Sequence, residues 1–259
     1  MSKRVCAILP VLNRNYVKLA KKTVDLFLRQ HFVPIELLIV NGSDVPIITE
    51  NTEHLVAEGI TLRELSLAYS QFNLSALYNA GILATEAQWI VPLNPKIYSH
   101  PARIGYQLAQ VQGDNPCLLT YQIAIDLSTA LATDKPVQPT IKLIRNLWGI
   151  ATTMIFPRVI EGELVVYDET LNHNEQEELL QRLINKGTTP TFCCNLHTAL
   201  VDGMNWPMLS VAFHTGSTEL EKLQFDQYTA VEGKLSNADY AALARIFTLY
   251  DFQVTNALV

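Results

Sequence analysis

Three short clusters in the first hundred residues carry side chains able to do chemistry: Pro10–Arg14 (PVLNR), Asn41–Asp44 (NGSD) and Asn94–Lys96 (NPK). Each closes an apolar run, and each offers backbone N–H groups, amides or a cation suited to a base, a ribose or a phosphate. Taken singly, each also serves as an ordinary turn. A second group lies at 168–177, where Asp168, Glu169, Glu175 and Glu177 surround Gln176. A carboxylate can take a proton from a hydroxyl at neutral pH, whereas a Gln amide cannot. Successive helical residues point about 100° apart, so Glu175 or Glu177 would stand in for Gln176 only on a rotated or shifted helix. The other reading of all three is an exposed helix face. His31, His54, His100 and His173 show no metal-ligand spacing. His197 reads as structural within a strand, and His214 opens a His-Thr-Gly-Ser-Thr turn.

These residues need a scaffold, and strand and helix signals alternate through the first half as in an α/β sheet. Val5 to Leu9 and Ile35 to Val40 are apolar runs expected for strands covered on both faces. Tyr16 to Gln30 spaces Val17, Ala20, Val24, Phe27 and Leu28 as a helix does. Thr61 to Leu67 alternates as an edge strand, Asn73 to Thr85 reads as a helix, and Trp89 to Leu93 as a third apolar strand. A helix over Pro101 to Val111 and a strand over Cys117 to Ile125 follow. Residues 126–146, with Pro136 and Pro139, read as a loop, and Gly149 to Phe156 is apolar again. Asn174 to Asn185 is a Glu- and Leu-rich helix stopped by Lys186-Gly187, Phe192–Leu200 is a strand, and Ser236 caps a last helix to about Tyr250.

The whole chain of 259 residues is 49% hydrophobic and 17% charged, which excludes disorder as its main state. Its length suits one domain: a first half to residue 115, a second over 116–220 and a C-terminal helical segment over 221–259. Nineteen Lys and Arg against 25 Asp and Glu give a net charge of −6 and no cationic field for nucleic acid. Cys6, Cys117, Cys193 and Cys194 have neither C-x-x-C spacing nor a disulfide pattern, so a reducing, cytoplasmic setting is expected. No run approaches the ~18 apolar residues of a membrane span, and no membrane insertion is expected.

In order and spacing, VCAILPVLNR (Val5–Arg14), IELLIVNGSD (Ile35–Asp44) and LSALYNAGILATEAQWIVPLNPK (Leu74–Lys96) resemble the nucleotide-sugar half of a family-two glycosyltransferase. Tyr167-Asp168-Glu169, EQEELLQRLINKG (Glu175–Gly187) and His214–Thr218 resemble its second half. The resemblance implies a GT-A fold, a Rossmann-like mixed sheet flanked by helices. It also implies transfer of a sugar from a nucleotide-diphosphate donor to an acceptor hydroxyl. The donor would meet Pro10, Val11, Asn13, Arg14, Asn41, Gly42, Ser43, Asn79, Asn94, Lys96 and His214. The acceptor would lie toward Asp168, Glu169 and Trp148, whose ring, like that of Trp206, is either a sugar platform or core.

The departures bear on mechanism. Asn41 stands for an aspartate, Tyr78 for the Arg before Asn79-Ala80-Gly81, Asn94-Pro95-Lys96 for Asp-x-Asp, and Gln176 for the aspartate base. Hard divalent cations want carboxylates, so Mg²⁺ or Mn²⁺ is disfavoured as a cofactor. The Lys96 ammonium would instead face the diphosphate, unless it is a solvated loop lysine. Gln176 leaves Glu175, Glu177 and Lys96 as the groups with catalytic chemistry. The alternative is a chain that keeps the fold as an inactive binding or scaffolding module.

Overall fold

Seven consecutive apolar or small residues, Val5–Val11, form strand β1, buried along its whole length. Such a strand must be covered on both sides, and parallel partners supply this: β2 (Ile35–Asn41) on one edge and β4 (Trp89–Pro92) on the other. β3 (Ile60–Ser66) lies parallel to β2 at the edge, where its alternating pattern leaves one face half wet. The antiparallel β9 (Phe156–Pro157) closes the far side, giving the order β3-β2-β1-β4-β9. The chain runs outward from β1 to β3 and then returns to the opposite flank of β1 as β4. That reversal makes a topological switch point between β1 and β4, with a crevice outside their carboxyl ends.

The computed structural model describes residues 5–28, 34–48, 59–67, 72–95, 97–99, 103–111, 117–119, 122–126, 140–144, 151–192, 210–214 and 229–230. Helix α1 (Val17–Phe27) buries Ala20, Thr23, Val24 and Phe27 against one face of the sheet, beside α3 (Arg103–Ala109). Helix α2 (Leu74–Ala84) and helix α4 (Glu175–Asn185) cover the other face. α2 starts where the Asn73 side chain accepts the Ala76 N–H at 2.9 Å. It lies close to the sheet because position 81 is glycine: a Cβ there would sit 2.6 Å from Ile8 Cγ2 and 3.1 Å from Val40 Cγ2. α4 buries Leu179, Leu180 and Leu183, each contributing about 1.5–3 kcal/mol. Three glutamates in its first turn suit the helix dipole, and Gly187, at φ 86°, ends it in a left-handed conformation.

A second sheet has the order β14-β8-β7-β13-β5, from β5 (Ile97–Ser99), β7 (Gln122–Asp126), β8 (Thr140–Ile144), β13 (Ser210–His214) and β14 (Thr229–Ala230). β6 (Cys117–Leu119) pairs in parallel with β12 (Pro190–Phe192), and a small hairpin joins β10 (Val159–Ile160) to β11 (Glu163–Leu164).

Two expectations need correction. The stretch from Cys117 to Ile125 is not one strand but β6 and β7, in different sheets. Residues 126–146 are not all loop, because Thr140–Ile144 pairs antiparallel with β7. Its Thr-Ile-Lys-Leu-Ile alternation carries the strand signal, and the prolines stop short of it. The last helix, most of the Phe192–Leu200 strand, His197, Trp206, Cys193 and Cys194 lie outside the described residues.

Candidate active site

The carboxyl ends of β1 and β2 are tied together by the Gly42 N–H, which donates to the Val11 carbonyl at 2.9 Å. The Asn13 side chain accepts the Asn15 N–H at 3.0 Å and starts a single 3-10 turn. Arg14, in that turn, points its guanidinium at both oxygens of Asp44, so one exposed ion pair spans the two strand ends. Each partner holds the other's charge: Asp44 titrates below, and Arg14 above, its ordinary value.

Asn41 behaves differently from its expected ligand-facing role. It is 1% exposed. Its Nδ2 donates to the Val45 carbonyl at 2.8 Å and to Glu64 at 2.6 Å, while Oδ1 accepts from the Ser43 N–H and hydroxyl at 2.9 and 2.7 Å. Two donors and two acceptor positions are all an amide has, so this side chain is saturated by its own turn. The Glu64 carboxylate also accepts the N–H groups of Ile47 and Ile48, at 3.1 and 2.8 Å, and gathers the loop after β2. Pro10, Val11, Gly42 and Ser43 are buried as well, so what this end presents outward is Asn13, Arg14, Asp44 and backbone.

At β4 the ladder stops for a covalent reason. The Leu93 N–H still donates to the Ile8 carbonyl at 2.9 Å. Continuing the parallel pattern, the Leu93 carbonyl would next receive the N–H of residue 10, and Pro10 has none. The Tyr78 hydroxyl takes that place, donating to the Leu93 carbonyl at 2.7 Å. Asn94 then turns the chain, its carbonyl accepting the Ile97 N–H at 2.9 Å. Lys96 lies outside the described residues. The described part of the turn offers an Asn amide and no carboxylate, which does not fit a carboxylate-held Mg²⁺ or Mn²⁺. Among the described residues no group of three or more His, Cys, Asp or Glu could hold a metal ion.

α2 is joined to the segment before α4 by two asparagines. Asn79 takes the Tyr167 N–H (2.7 Å) and gives its amide to the Tyr167 carbonyl (3.0 Å) and Glu169 (2.8 Å). Asn73 donates to the carbonyls of Glu169 and Leu171. Asn79 is therefore committed to this joint, Glu169 lies against it, and Asp168 caps the Thr170 N–H and hydroxyl. Tyr167 stacks on Tyr78 with ring centres 4.9 Å apart, and its hydroxyl donates to Gln176 Oε1 at 2.9 Å. Gln176, 4% exposed, thus faces the core, while its neighbours Glu175 and Glu177 are half-buried. Burial pushes both carboxyls above their ordinary value. Burial pushes the Tyr78 and Tyr167 hydroxyls above their ordinary value, and the Glu175 charge pushes both further in the same direction. His214 ends β13 with its backbone paired to Asp126, and Trp148 lies outside the described residues. Glu64 had no sequence signal of its own, since the Ile47 and Ile48 N–H groups it gathers lie 17 and 16 positions away.

By sequence, the chain matches no protein-family model and no curated protein. By structure, it is similar to S. aureus TarS 1–349 in complex with UDP-GlcNAc, at TM-score 0.55 and 12% identity over 95% of this chain and 73% of that one. It is also similar to the mannosyltransferase PcManGT from Pyrobaculum calidifontis in complex with GDP-Man and Mn²⁺, at TM-score 0.54 and 10% identity over 98% and 70%. The chain has a GT-A fold. Arg14, Asp44 and Asn94 follow the carboxyl ends of β1, β2 and β4, beside the switch point. Among the described residues no helix is long and apolar enough to cross a membrane.

Proposed function

We propose that this chain binds a nucleotide-diphosphate sugar across the carboxyl ends of β1, β2 and β4 and transfers the sugar to an acceptor hydroxyl. The observation that carries the reading is the topological switch point between β1 and β4, with the exposed Arg14–Asp44 pair across the adjoining strand ends. The GT-A fold supports it, as do UDP-GlcNAc and GDP-Man in the complexes of the two similar proteins. Arg14, Asn13 and the strand-end amides meet the nucleotide. Lys96 and His214 face the diphosphate in place of a carboxylate-held metal. The acceptor enters from the side of Asp168, Glu169 and Trp148. Its oxygen bonds to the anomeric carbon as the bond to the diphosphate breaks, and Glu175 takes the hydroxyl proton, with Glu177 the nearest substitute.

Titration calorimetry against a panel of nucleotide sugars, with and without Mn²⁺, tests this. Binding of one donor to a similar extent in both conditions is expected, and failure of every donor to bind would end the proposal. A second reading, a binding module without turnover, is favoured by the inward-facing Gln176 and the saturated Asn41. Donor binding without release of nucleoside diphosphate, even by hydrolysis, would select it.

A further inference from the structure

Where β1 meets the end of β4, one rung of the ladder is missing because of a side chain. Every second residue of β1 turns its main-chain groups toward β4, and in that row Ile8 is followed by Pro10. Ile8 gives its carbonyl to the Leu93 N–H at 2.9 Å, and the Leu93 carbonyl then meets a proline nitrogen without a hydrogen. The Tyr78 hydroxyl, reaching over from the second turn of α2, donates to that carbonyl at 2.7 Å. Tyr78 and Leu93 are both buried, so the tie is made inside the protein and not by water. It falls immediately before Asn94 turns the chain, where the Asn94 carbonyl accepts the Ile97 N–H. The same helix holds the segment that leads to α4. Asn73 donates to the Glu169 and Leu171 carbonyls, and Asn79 pairs with both main-chain groups of Tyr167, whose ring stacks on Tyr78.

We propose that Tyr78 is a positioning residue for the nucleotide-sugar side of the site: its hydroxyl replaces the N–H that Pro10 lacks and fastens the turn carrying Asn94 and Lys96 to α2 instead of to β1. Since α2 also holds Tyr167 to Leu171, the turn on the diphosphate side and the segment on the acceptor side take their positions from one helix. The chemistry is specific. Tyr78→Phe keeps the ring and its stack on Tyr167 but removes the only hydrogen the side chain can donate. Pro10→Ala returns an N–H to the row that faces β4, aimed at the Leu93 carbonyl, and so makes the hydroxyl dispensable. The part that the turn plays in nucleotide binding rests on the donor reading above; the tie between Tyr78 and Leu93 does not.

Hydrogen exchange resolved to single amides on the full chain reads the tie as a cycle of four proteins. In Tyr78→Phe the Leu93 and Ile97 amides should exchange about tenfold faster than in the unsubstituted chain, with α1 unchanged. With Pro10→Ala in both backgrounds, the effect of Tyr78→Phe should shrink to within about twofold, because the restored N–H pairs with the Leu93 carbonyl. Comparison within the Pro10→Ala background cancels the stability that proline lends through the unfolded chain. Equal acceleration in both backgrounds, as altered ring packing would give, overturns the proposal, and so does its absence from the first. Titration calorimetry of the same four proteins with UDP and with GDP carries the test to the site. Tyr78→Phe should weaken whichever nucleotide binds by about tenfold, and Pro10→Ala should restore most of that loss. Unchanged affinity beside a positive exchange cycle overturns the role of the turn in binding. Absence of binding by the unsubstituted chain, with the exchange cycle intact, overturns the donor reading and leaves the tie standing. Nucleotide binding without the exchange cycle overturns the tie alone.

Discussion

Glu175 carries opposite demands at the residue scale. Burial raises its carboxyl above the ordinary value, yet the base role proposed for it requires the ionised form. Turnover should therefore fall on the acid side at a higher pH than an unperturbed carboxylate would give. Glu175→Gln should lower turnover about 10²–10⁴-fold, leave donor affinity in place and abolish that acid limb, read from rate against pH. The stability sign runs the other way. With its folded value raised, Glu175 keeps its proton to higher pH in the folded chain than in the unfolded one. Its contribution is present below the unfolded value and is lost as pH rises through the raised one. Glu175→Gln should consequently raise the melting temperature at neutral pH while lowering activity, a pairing that scanning calorimetry and an assay can check together. The type of this residue and its place at a helix start were legible in the sequence. Its half-buried setting was not, because burial depends on how the helix packs in the fold, which residue type alone does not give.

At the scale of elements, α2 does the most joining. Gly81 lets it approach β1, and Asn73 and Asn79 fasten it to residues 167–171. Gly81→Ala pushes a methyl into Ile8 and Val40 and should destabilise the fold by about 1–3 kcal/mol in urea unfolding, with the midpoint shifted and the slope unchanged. Asn73→Ala removes a helix cap together with two bonds to carbonyls and should cost about 1–3 kcal/mol by the same measurement. Periodicity places β1 to β4, α1, α2 and α4 within one to three residues of where they fall. It cannot say that β6 and β7 belong to different sheets, since three apolar residues fit either one. Nor does it separate a ligand-facing asparagine from a turn-making one. Asn41 ends an apolar run in both cases, and only the β2–β3 register brings Glu64 alongside it.

At the scale of the whole molecule, the parallel sheet divides the described core into two apolar layers, α1 and α3 on one side and α2 and α4 on the other. Cys6 and Cys117 are buried in the second layer, and burial pushes the Cys6 thiol far up, so Cys6 presents no thiolate. Peptide-resolved alkylation should leave both unlabelled in the native protein and label both across the global unfolding transition. Labelling of either well before that transition would show that the layer opens locally. The same strand order has a consequence in time. β1 is made first but stands at the centre. Its second partner, β4, arrives only at residues 89–92, the closing strand at 156–157, and the helix that completes the second layer at 175–185. A nascent chain halted before α4 lacks Leu179, Leu180 and Leu183, part of the layer that covers Ile8, Leu38 and Val40. Synthesis therefore passes through a long interval in which apolar sheet is exposed to neighbouring chains, and the last turn of α4 to leave the ribosome ends it.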